Sequence, residues 1–264
     1  SIHEAIRPFV SEKLTASPES SSVRAAHAHY YANWLAEKNA ALKDARQPDA
    51  LELVQREFGN LNLLWDWLLE NNQLDAGESC LDSLYQFFSV RSLFQEGMSW
   101  FERAVQGEPP VNVAQGMLLA RLGGLAYQAR ADATARQALM HSLEILLQTN
   151  AAEELAFCRL QLGWLCFREK DFRAAQAYSQ QSLACYQSTG NPLGMSQAFY
   201  LAGSLRQTQG EHEEAKSLFA EALLHGRKSG NPRQLVLILN RLGDLVCYAG
   251  QYELAVQQFT ECLA

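Results

Sequence analysis

The sequence lacks an excess of positive charge and any long apolar run. It contains 22 Lys and Arg against 29 Asp and Glu, a formal net charge of -7 over 264 residues. Non-specific binding to nucleic acid needs a basic surface that neutralises phosphates, so this balance argues against it. No apolar stretch reaches the roughly 18 residues of a membrane span, and Ser1 opens no secretory signal. We therefore expect a cytoplasmic protein that binds neither membranes nor nucleic acid.

Sequence motifs for catalysis and for metal binding are absent as well. No G-x-x-x-x-G-K-[ST] loop cradles a nucleotide, no G-x-S-x-G elbow presents a nucleophile, and no carboxylate pair stands out. His27 and His29 are two positions apart on a helical segment, where they face different sides, and the other histidines are isolated. We predict no enzyme activity, no cofactor and no metal site for this chain.

The six cysteines do not form a C-x-x-C pair. They fall on helical, mostly apolar segments, which is typical of reduced core cysteines in a cytosolic protein. Their positions are Cys80, Cys158, Cys166, Cys185, Cys247 and Cys262.

What the sequence does have is a signature with a 40-residue period. Glycines recur at that interval inside apolar runs with helical spacing, and a small alanine follows each glycine twelve positions later, across a short break. Self-similarity at this period indicates stacked structural repeats, and here the unit is helix, tight turn, helix. The recurring residues are Gly123, Gly163, Gly203 and Gly243; Ala135, Ala175, Ala215 and Ala255; Leu143, Leu183, Leu223 and Leu263.

The recurring glycines indicate a structural role, because a glycine inside a helix costs about 1 kcal/mol of stability relative to alanine. We predict that each one lets two helices approach closely, with the alanine of the partner helix opposite it. Large side chains would fill the flanks, namely Phe172, Phe219, Tyr252 and Phe259. Between units the strings at 189–192 and 229–232 read Thr/Ser-Gly-Asn-Pro. Glycine and asparagine suit a helix C-cap, and proline suits the first turn of the next helix.

This order of Leu-Gly, large residue, Ala, aromatic and small residue resembles the tetratricopeptide repeat, although the common form of that repeat is shorter, at about 34 residues. The resemblance implies an all-α fold, an α-solenoid of helical hairpins with the longer 40-residue period. We place the repeat region at 73–264, with a degenerate repeat at 73–108 and regular repeats at 111–264, the last one truncated.

Positions 1–72 do not follow the 40-residue period. We expect a helix at 2–14, a helix from Val23 to about Leu42, a restart at Gln47 and a helix at 60–70. Three signatures resemble bacterial STAND proteins, the signal transduction ATPases with numerous domains. They are Ile2-His3-Glu4 with Arg7, Phe9 and Glu12-Lys13-Leu14; Arg24-x-x-His27-x-x-Tyr30-Tyr31; and Glu57-x-x-Asn60-Leu61 with Trp67. A fourth is Phe94-Gln-Glu-Gly97-x-x-Trp100-Phe101.

The resemblance implies a domain order and a role. Residues 1–14 would be the last helix of a winged-helix domain, 15–72 a helical arm, and 73–264 the sensor. Both ends look cut, so we expect a fragment of a longer ATPase, with an intramolecular contact to the ATPase module upstream. In that family an inducer bound by the sensor relieves autoinhibition and permits oligomerisation.

The first helix of each unit should line the concave side of the solenoid. Residues three before, one after and five after each glycine then point into the groove, where aromatic area beside polar anchors suits a small-molecule or a peptide or protein inducer. Trp164 could instead pack against neighbouring helices. A scaffold that joins proteins constitutively, without a switch, is the alternative function. The predicted ligand-binding residues are Tyr127, Leu160, Trp164, Arg168, Tyr200, Ser204, Asn240, Asp244 and Tyr248.

Overall fold

The computed structural model describes residues 17–74, 78–106 and 111–263, and within these ranges the chain is helical, without a strand. The predicted helix at 2–14 lies outside the described residues. None of the described helices is long and apolar enough to cross a bilayer. The helices are α1 Ser20–Lys38, α2 Gln47–Arg56, α3 Phe58–Glu70, α4 Glu78–Val90, α5 Phe94–Gln106, α6 Val113–Gln128, α7 Asp132–Leu146, α8 Ala152–Arg168, α9 Phe172–Thr189, α10 Pro192–Thr208, α11 His212–Ser229, α12 Pro232–Tyr248 and α13 Tyr252–Leu263, with a 3-10 turn at Ala41–Lys43.

The repeat signature folds into consecutive hairpins. Helices α8, α10 and α12 start at residues 152, 192 and 232 and have 17 residues each. Each packs against the helix that follows it, and α10 also contacts both α8 and α12, the first helices of the neighbouring hairpins, which is the pattern of a solenoid. The predicted all-α solenoid fold is confirmed.

The linkers between hairpins combine a C-cap and an N-cap. Gly190 and Gly230 end their helices at φ 72° and 68°, in the left-handed region where glycine avoids the Cβ penalty. The predicted glycine caps are therefore confirmed. The asparagines act differently from the prediction, since the side chains of Asn191 and Asn231 accept the backbone N–H of Gly194 and Gln234 and so cap the N-terminus of the next helix.

The recurring glycines are buried in helix contacts, but their partners are larger than predicted. A Cβ added to Gly203 would lie 2.7 Å from the ring of Phe219, and one at Gly243 would lie 2.5 Å from Phe259. At Gly123 the neighbour is Leu139, at 2.5 Å. The missing side chain thus makes room for a ring or an isobutyl group. The predicted alanines lie farther away, with the carbonyl oxygens of Ala135 and Ala175 at 3.2 and 3.6 Å from the Cβ positions of Gly123 and Gly163.

We expect Gly203→Ala to lower the free energy of unfolding by about 1–3 kcal/mol, because the added methyl overpacks the contact with Phe219. The matched control is Gly59, an exposed glycine of α3 at which an added Cβ would meet no atom within 4 Å. There the same change should raise stability by up to about 1 kcal/mol through helix propensity. Denaturant titration of both variants measures this, and effects of the same sign would contradict the packing assignment.

We call helices α1–α3 and the 3-10 turn the arm, and a polar cluster holds α1 to α3. The Tyr31 hydroxyl donates to Glu57 at 2.9 Å, and the Asn60 amide donates to that hydroxyl and to Glu57 at 2.8 and 2.7 Å. Burial and the hydrogen bond to Glu57 raise the pKa of Tyr31 to about 12. The side chain of His27 lies 3.3 Å from Asn60. Residues from two of the arm signatures therefore meet in one cluster.

The arm shares its hydrophobic core with the first hairpins. Buried side chains form one continuous cluster from Ala28 in α1 to Leu165 in α8. Polar contacts reinforce the junction, since the Asn39 amide donates to Asp82 and to Ser83 on α4, both at 3.1 Å. The position of the arm relative to the solenoid is thereby fixed, and this determines the shape of the site.

Candidate functional site

A cavity of about 330 Å³ lies between the first helices of the hairpins and the arm. Its walls come from α4, α6, α8, α10 and α12, and Lys43 and Gln47 of the arm close one side. Ligand sites of proteins commonly fall in the range of about 300–1,000 Å³, so the space is large enough for a small ligand or a short peptide segment.

Four of the nine predicted ligand residues line this cavity: Tyr127, Leu160, Trp164 and Tyr200. The ring centroids of Trp164 and Tyr200 are 5.6 Å apart, and Tyr200 also lies 5.6 Å from the core residue Phe219. Trp164 therefore packs against its neighbours and faces the cavity at the same time. These rings form the aromatic wall, by which we mean Trp164 and Tyr200.

The other five predicted residues lie outside the cavity lining. The guanidinium of Arg168 stacks 3.7 Å from the centroid of the Tyr127 ring and pairs with Asp132 at 2.6 Å. The hydroxyl of Ser204 donates to the carbonyl of Tyr200 in the preceding turn. The last three are exposed on α12: Asn240, Asp244 and Tyr248. A ligand role for these five stays a prediction.

Sequence reasoning missed the first turns of each helix, which lie more than three positions before the glycine. The lining residues stand six, nine and ten positions before it in three successive units, which continues the same helical face toward the N-terminus. The 40-residue period is the signal that would have found them. They are Phe157, Glu154 and Glu153; Gln197, Gly194 and Leu193; Leu237, Gln234 and Arg233.

A buried ion cluster forms another part of the cavity wall. Arg121 is 3% exposed and lies 2.9 Å from Asp82 and 2.8 Å from Glu154. Its guanidinium also stacks 4.0 Å from the centroid of the Phe157 ring. Lys43 of the arm pairs with the same Asp82. The four charges sum to zero, and they tie the arm to α4, α6 and α8.

The cluster holds its members in their charged forms. Burial alone would raise the pKa of Asp82, but Arg121 and Lys43 lower it well below its usual range. Burial alone would lower the pKa of Arg121, but Glu154 and Asp82 raise it above its usual range. No net charge is left for a ligand here, because each buried charge already has a partner.

The linker before α12 and the first turn of that helix contact the arm and α4. The Asn231 amide donates to the backbone carbonyl of Lys43 at 3.0 Å, across 188 positions of sequence. A Cβ at Gly230 would lie 4.0 Å from the Cβ of Ala45, and Arg233 lies 3.4 Å from the carbonyl of Ser89. We call these contacts of residues 230–233 the closing contact. They complete a ring of helices around the cavity.

The described residues contain no group of three or more His, Cys, Asp and Glu side chains that could hold a metal ion. All described cysteines are free thiols, of which Cys80, Cys158 and Cys166 are buried and Cys185 is half-buried. Cys247, near the end of α12, is exposed, which corrects its prediction as a core residue. The side chain of Cys262 falls outside the described residues.

Comparison with known proteins supports the repeat fold. The tetratricopeptide repeat family matches residues 194–264. That family describes a repeat and not a catalytic domain. No curated protein matches the chain significantly.

Several solved structures share the architecture at low sequence identity. A Rap protein complexed with competence and sporulation factor has a TM-score of 0.64 and 13% identity, over 92% of this chain and 76% of that one. The Rap conjugation gene regulator of plasmid pLS20, in complex with a peptide, has a TM-score of 0.60 and 15% identity, over 88% and 73%. Aspartyl phosphate phosphatase F from Bacillus subtilis has a TM-score of 0.60 and 14% identity, over 98% and 68%. At these identities the likeness shows the fold, a tetratricopeptide-like solenoid of a kind suited to protein–protein interaction.

Proposed function

We propose that this chain is the sensor region of a bacterial STAND ATPase and that its cavity binds the inducer, a small molecule or a peptide. The observation that carries the proposal is the ring around the cavity, since residues of the arm and of the last described hairpins line the same space and touch each other. A ligand in that space contacts both parts at once.

The closing contact couples ligand binding in the cavity to the position of the arm. A ligand shifts a conformational equilibrium only by its difference in affinity between the two states. Because the cavity wall includes Lys43 and Gln47 of the arm, a ligand that touches them binds the closed ring better than an open one. Occupancy would therefore change how firmly the arm is held, and the arm leads toward the ATPase module.

The lining supports a peptide or an amphipathic small molecule over a large folded partner. Aromatic and apolar side chains alternate with carboxamides, which can bond backbone amides or similar groups. Two of the structurally similar proteins above were solved with a partner bound, one with competence and sporulation factor and one with the Phr* peptide. The carboxamides in the lining are Gln47, Gln86, Gln128, Gln161, Gln197, Gln234, Asn191 and Asn231.

The STAND assignment rests on the arm. His27 and Tyr31 of one signature and Glu57 and Asn60 of the next form a single polar cluster, which gives the two signatures a common structural role. The assignment requires a G-x-x-x-x-G-K-[ST] loop in the gene upstream of His3. A gene without that loop would favour the constitutive scaffold.

Ligand binding should depend on the aromatic wall. We expect Trp164→Ala with Tyr200→Ala to abolish the ligand-induced thermal shift while unfolding stays cooperative, because the stacking surface is removed. Gln197→Trp should abolish it too, by filling the cavity. The control is Leu224→Ala, since Leu224 is 49% exposed on α11.

The ligand itself can be sought by thermal shift and mass spectrometry of the purified chain against fractionated cell extract and peptide pools. The sensor role predicts a bound small molecule or peptide that the wall variants lose. If no fraction shifts the wild-type protein, or if the variants keep the full response, the cavity is not the inducer site and the scaffold function is favoured.

A further inference from the structure

Three buried polar atoms of the cavity wall make no hydrogen bond among the described residues. Two of them, Nη1 of Arg121 and Oε2 of Glu154, form an ion pair with each other at 2.8 Å, so the side chain of Gln234 holds the one that is left without a partner there. Gln234 is 5% exposed, and its Nε2 is buried without a hydrogen-bond acceptor there. Buried polar atoms are almost always paired, so an unpaired donor in a cavity wall is a candidate contact for a ligand. Because Nε2 is a donor, it suits an acceptor atom.

The adjacent residue supplies a positive charge. Arg233 lines the same cavity, and its hydrogen bonds to the carbonyl and the hydroxyl of Ser89 are long, at 3.4 Å. No carboxylate pairs with it within the described part of the chain. The other two cations of the wall, Lys43 and Arg121, are already paired with Asp82 and Glu154. Arg233 is thus the cation that remains for a ligand.

Both residues stand on the first turn of α12. The helix has 17 residues and begins with Pro232, so its dipole adds positive potential where Gln234 and Arg233 lie. A carboxylate can accept from both side chains together, since it accepts several hydrogen bonds and forms charge-assisted ones with arginine.

The other charges of the cavity wall favour a ligand with a single carboxylate. Glu153 lines the cavity and accepts a hydrogen bond from Asn191, at 3.2 Å, which leaves its negative charge in place. The carboxylates of Asp82 and Glu154 are already neutralised by Arg121 and Lys43, so a second anionic group of a ligand would meet the negative charge of Glu153. Across the space, Trp164 and Tyr200 offer a surface that suits an apolar body.

We propose that the cavity binds an amphipathic monocarboxylate whose carboxylate is received by Gln234 and Arg233 and whose apolar part lies on the aromatic wall. The carboxylate can belong to the C-terminus of a peptide or to a small organic acid. This inference rests on the proposed function, because it names the ligand class of the same cavity.

Matched acid and amide probes test it. The purified chain is titrated by calorimetry with two tetrapeptide pools, N-acetylated and ending in either a carboxylate or a carboxamide, and separately with indole-3-acetate and indole-3-acetamide. We expect the acids to bind at least about tenfold more tightly than the amides. Binding by the peptide acids alone identifies a peptide C-terminus, and binding by indole-3-acetate alone identifies a small acid.

Variants assign the effect to the two residues. Arg233→Gln and Gln234→Leu should each weaken acid binding about tenfold or more and leave amide binding unchanged, whereas Arg173→Gln, at an exposed position of α9, should change neither. Equal binding of acids and amides, or acid binding that survives both variants, overturns the carboxylate subsite and leaves the sensor role standing. If none of the probes binds, the subsite is rejected, and the extract screen then decides separately whether the cavity binds any ligand.

Discussion

Replacing Arg121 by methionine is expected to lower the free energy of unfolding by about 3–5 kcal/mol, because it leaves buried carboxylates without their cation. Arg121 is 3% exposed and lies 2.9 Å from Asp82 and 2.8 Å from Glu154. Lys43 still neutralises part of the charge on Asp82, but Glu154 loses its only cation among the described residues. Denaturant titration at neutral pH measures the loss.

A surface ion pair provides the control for this change. Arg103 pairs with Asp66 at 2.7 Å, but their side chains are 51% and 44% exposed. Because solvent screens such a pair, Arg103→Met should lower stability by less than about 1 kcal/mol. Comparable losses of unfolding free energy in the two variants would mean that the guanidinium of Arg121 is not buried in solution.

The pH dependence of the Arg121→Met effect has a definite sign. The pKa of Asp82 in the folded protein lies below its ordinary value of about 3.9, so its contribution to stability is present above that pH and is lost as pH falls through the folded pKa. In the Arg121→Met protein Asp82 has lost one of its two cations, so ionisation of Asp82 contributes less to the free energy of unfolding. The stability difference between the wild-type and variant proteins should therefore be largest near neutral pH and should shrink below about pH 4. A difference independent of pH would contradict the role of the carboxylates.

The repeat fold could be predicted from the sequence because its causes are local and periodic. The spacing of Gly163, Gly203 and Gly243 determined the hairpins, and the Gly-Asn-Pro strings determined their linkers. The partners of the glycines were predicted less well. Which side chain of a facing helix covers a glycine depends on the rotation of that helix, and the period alone does not give the rotation.

The site was predictable in part for the same reason. Trp164 and Tyr200 follow from the face that the glycine defines, and they line the cavity. Gln234 and Arg233 lie on the same face, nearer the helix start, and were missed because the prediction stopped about two turns short of them. Asn240, Asp244 and Tyr248 lie on the exposed part of α12, outside the ring.

The ion cluster and the closing contact could not be predicted from the sequence. Arg121 sits in an apolar helix without a charged neighbour to suggest its partners, which come from α4 and α8. Asn231 and Lys43 meet only because the solenoid curves back toward the arm, and this curvature is the sum of small rotations at every hairpin.

The most direct test of the closed ring is a disulfide across the closing contact. In the Ala45→Cys/Gly230→Cys protein the two Cβ atoms would be about 4.0 Å apart, within the range of about 3.5–4.5 Å found in disulfides. Cys247→Ser removes the exposed native thiol from the background. The control is Ala45→Cys/Gly190→Cys, because Gly190 has the same left-handed backbone in the preceding linker and no atom within 4 Å of its Cβ position.

Mild oxidation followed by non-reducing electrophoresis and peptide mapping measures the cross-link. The closed ring predicts rapid, nearly complete intramolecular bonding of positions 45 and 230, and little bonding of positions 45 and 190. The bond should also raise the melting temperature, since closing so long a loop stabilises by up to about 4–5 kcal/mol before strain at position 230 is subtracted. Equal and slow disulfide formation in the two proteins would show that the arm does not contact the last described hairpins. That result would contradict the closed ring on which the proposed sensor function rests.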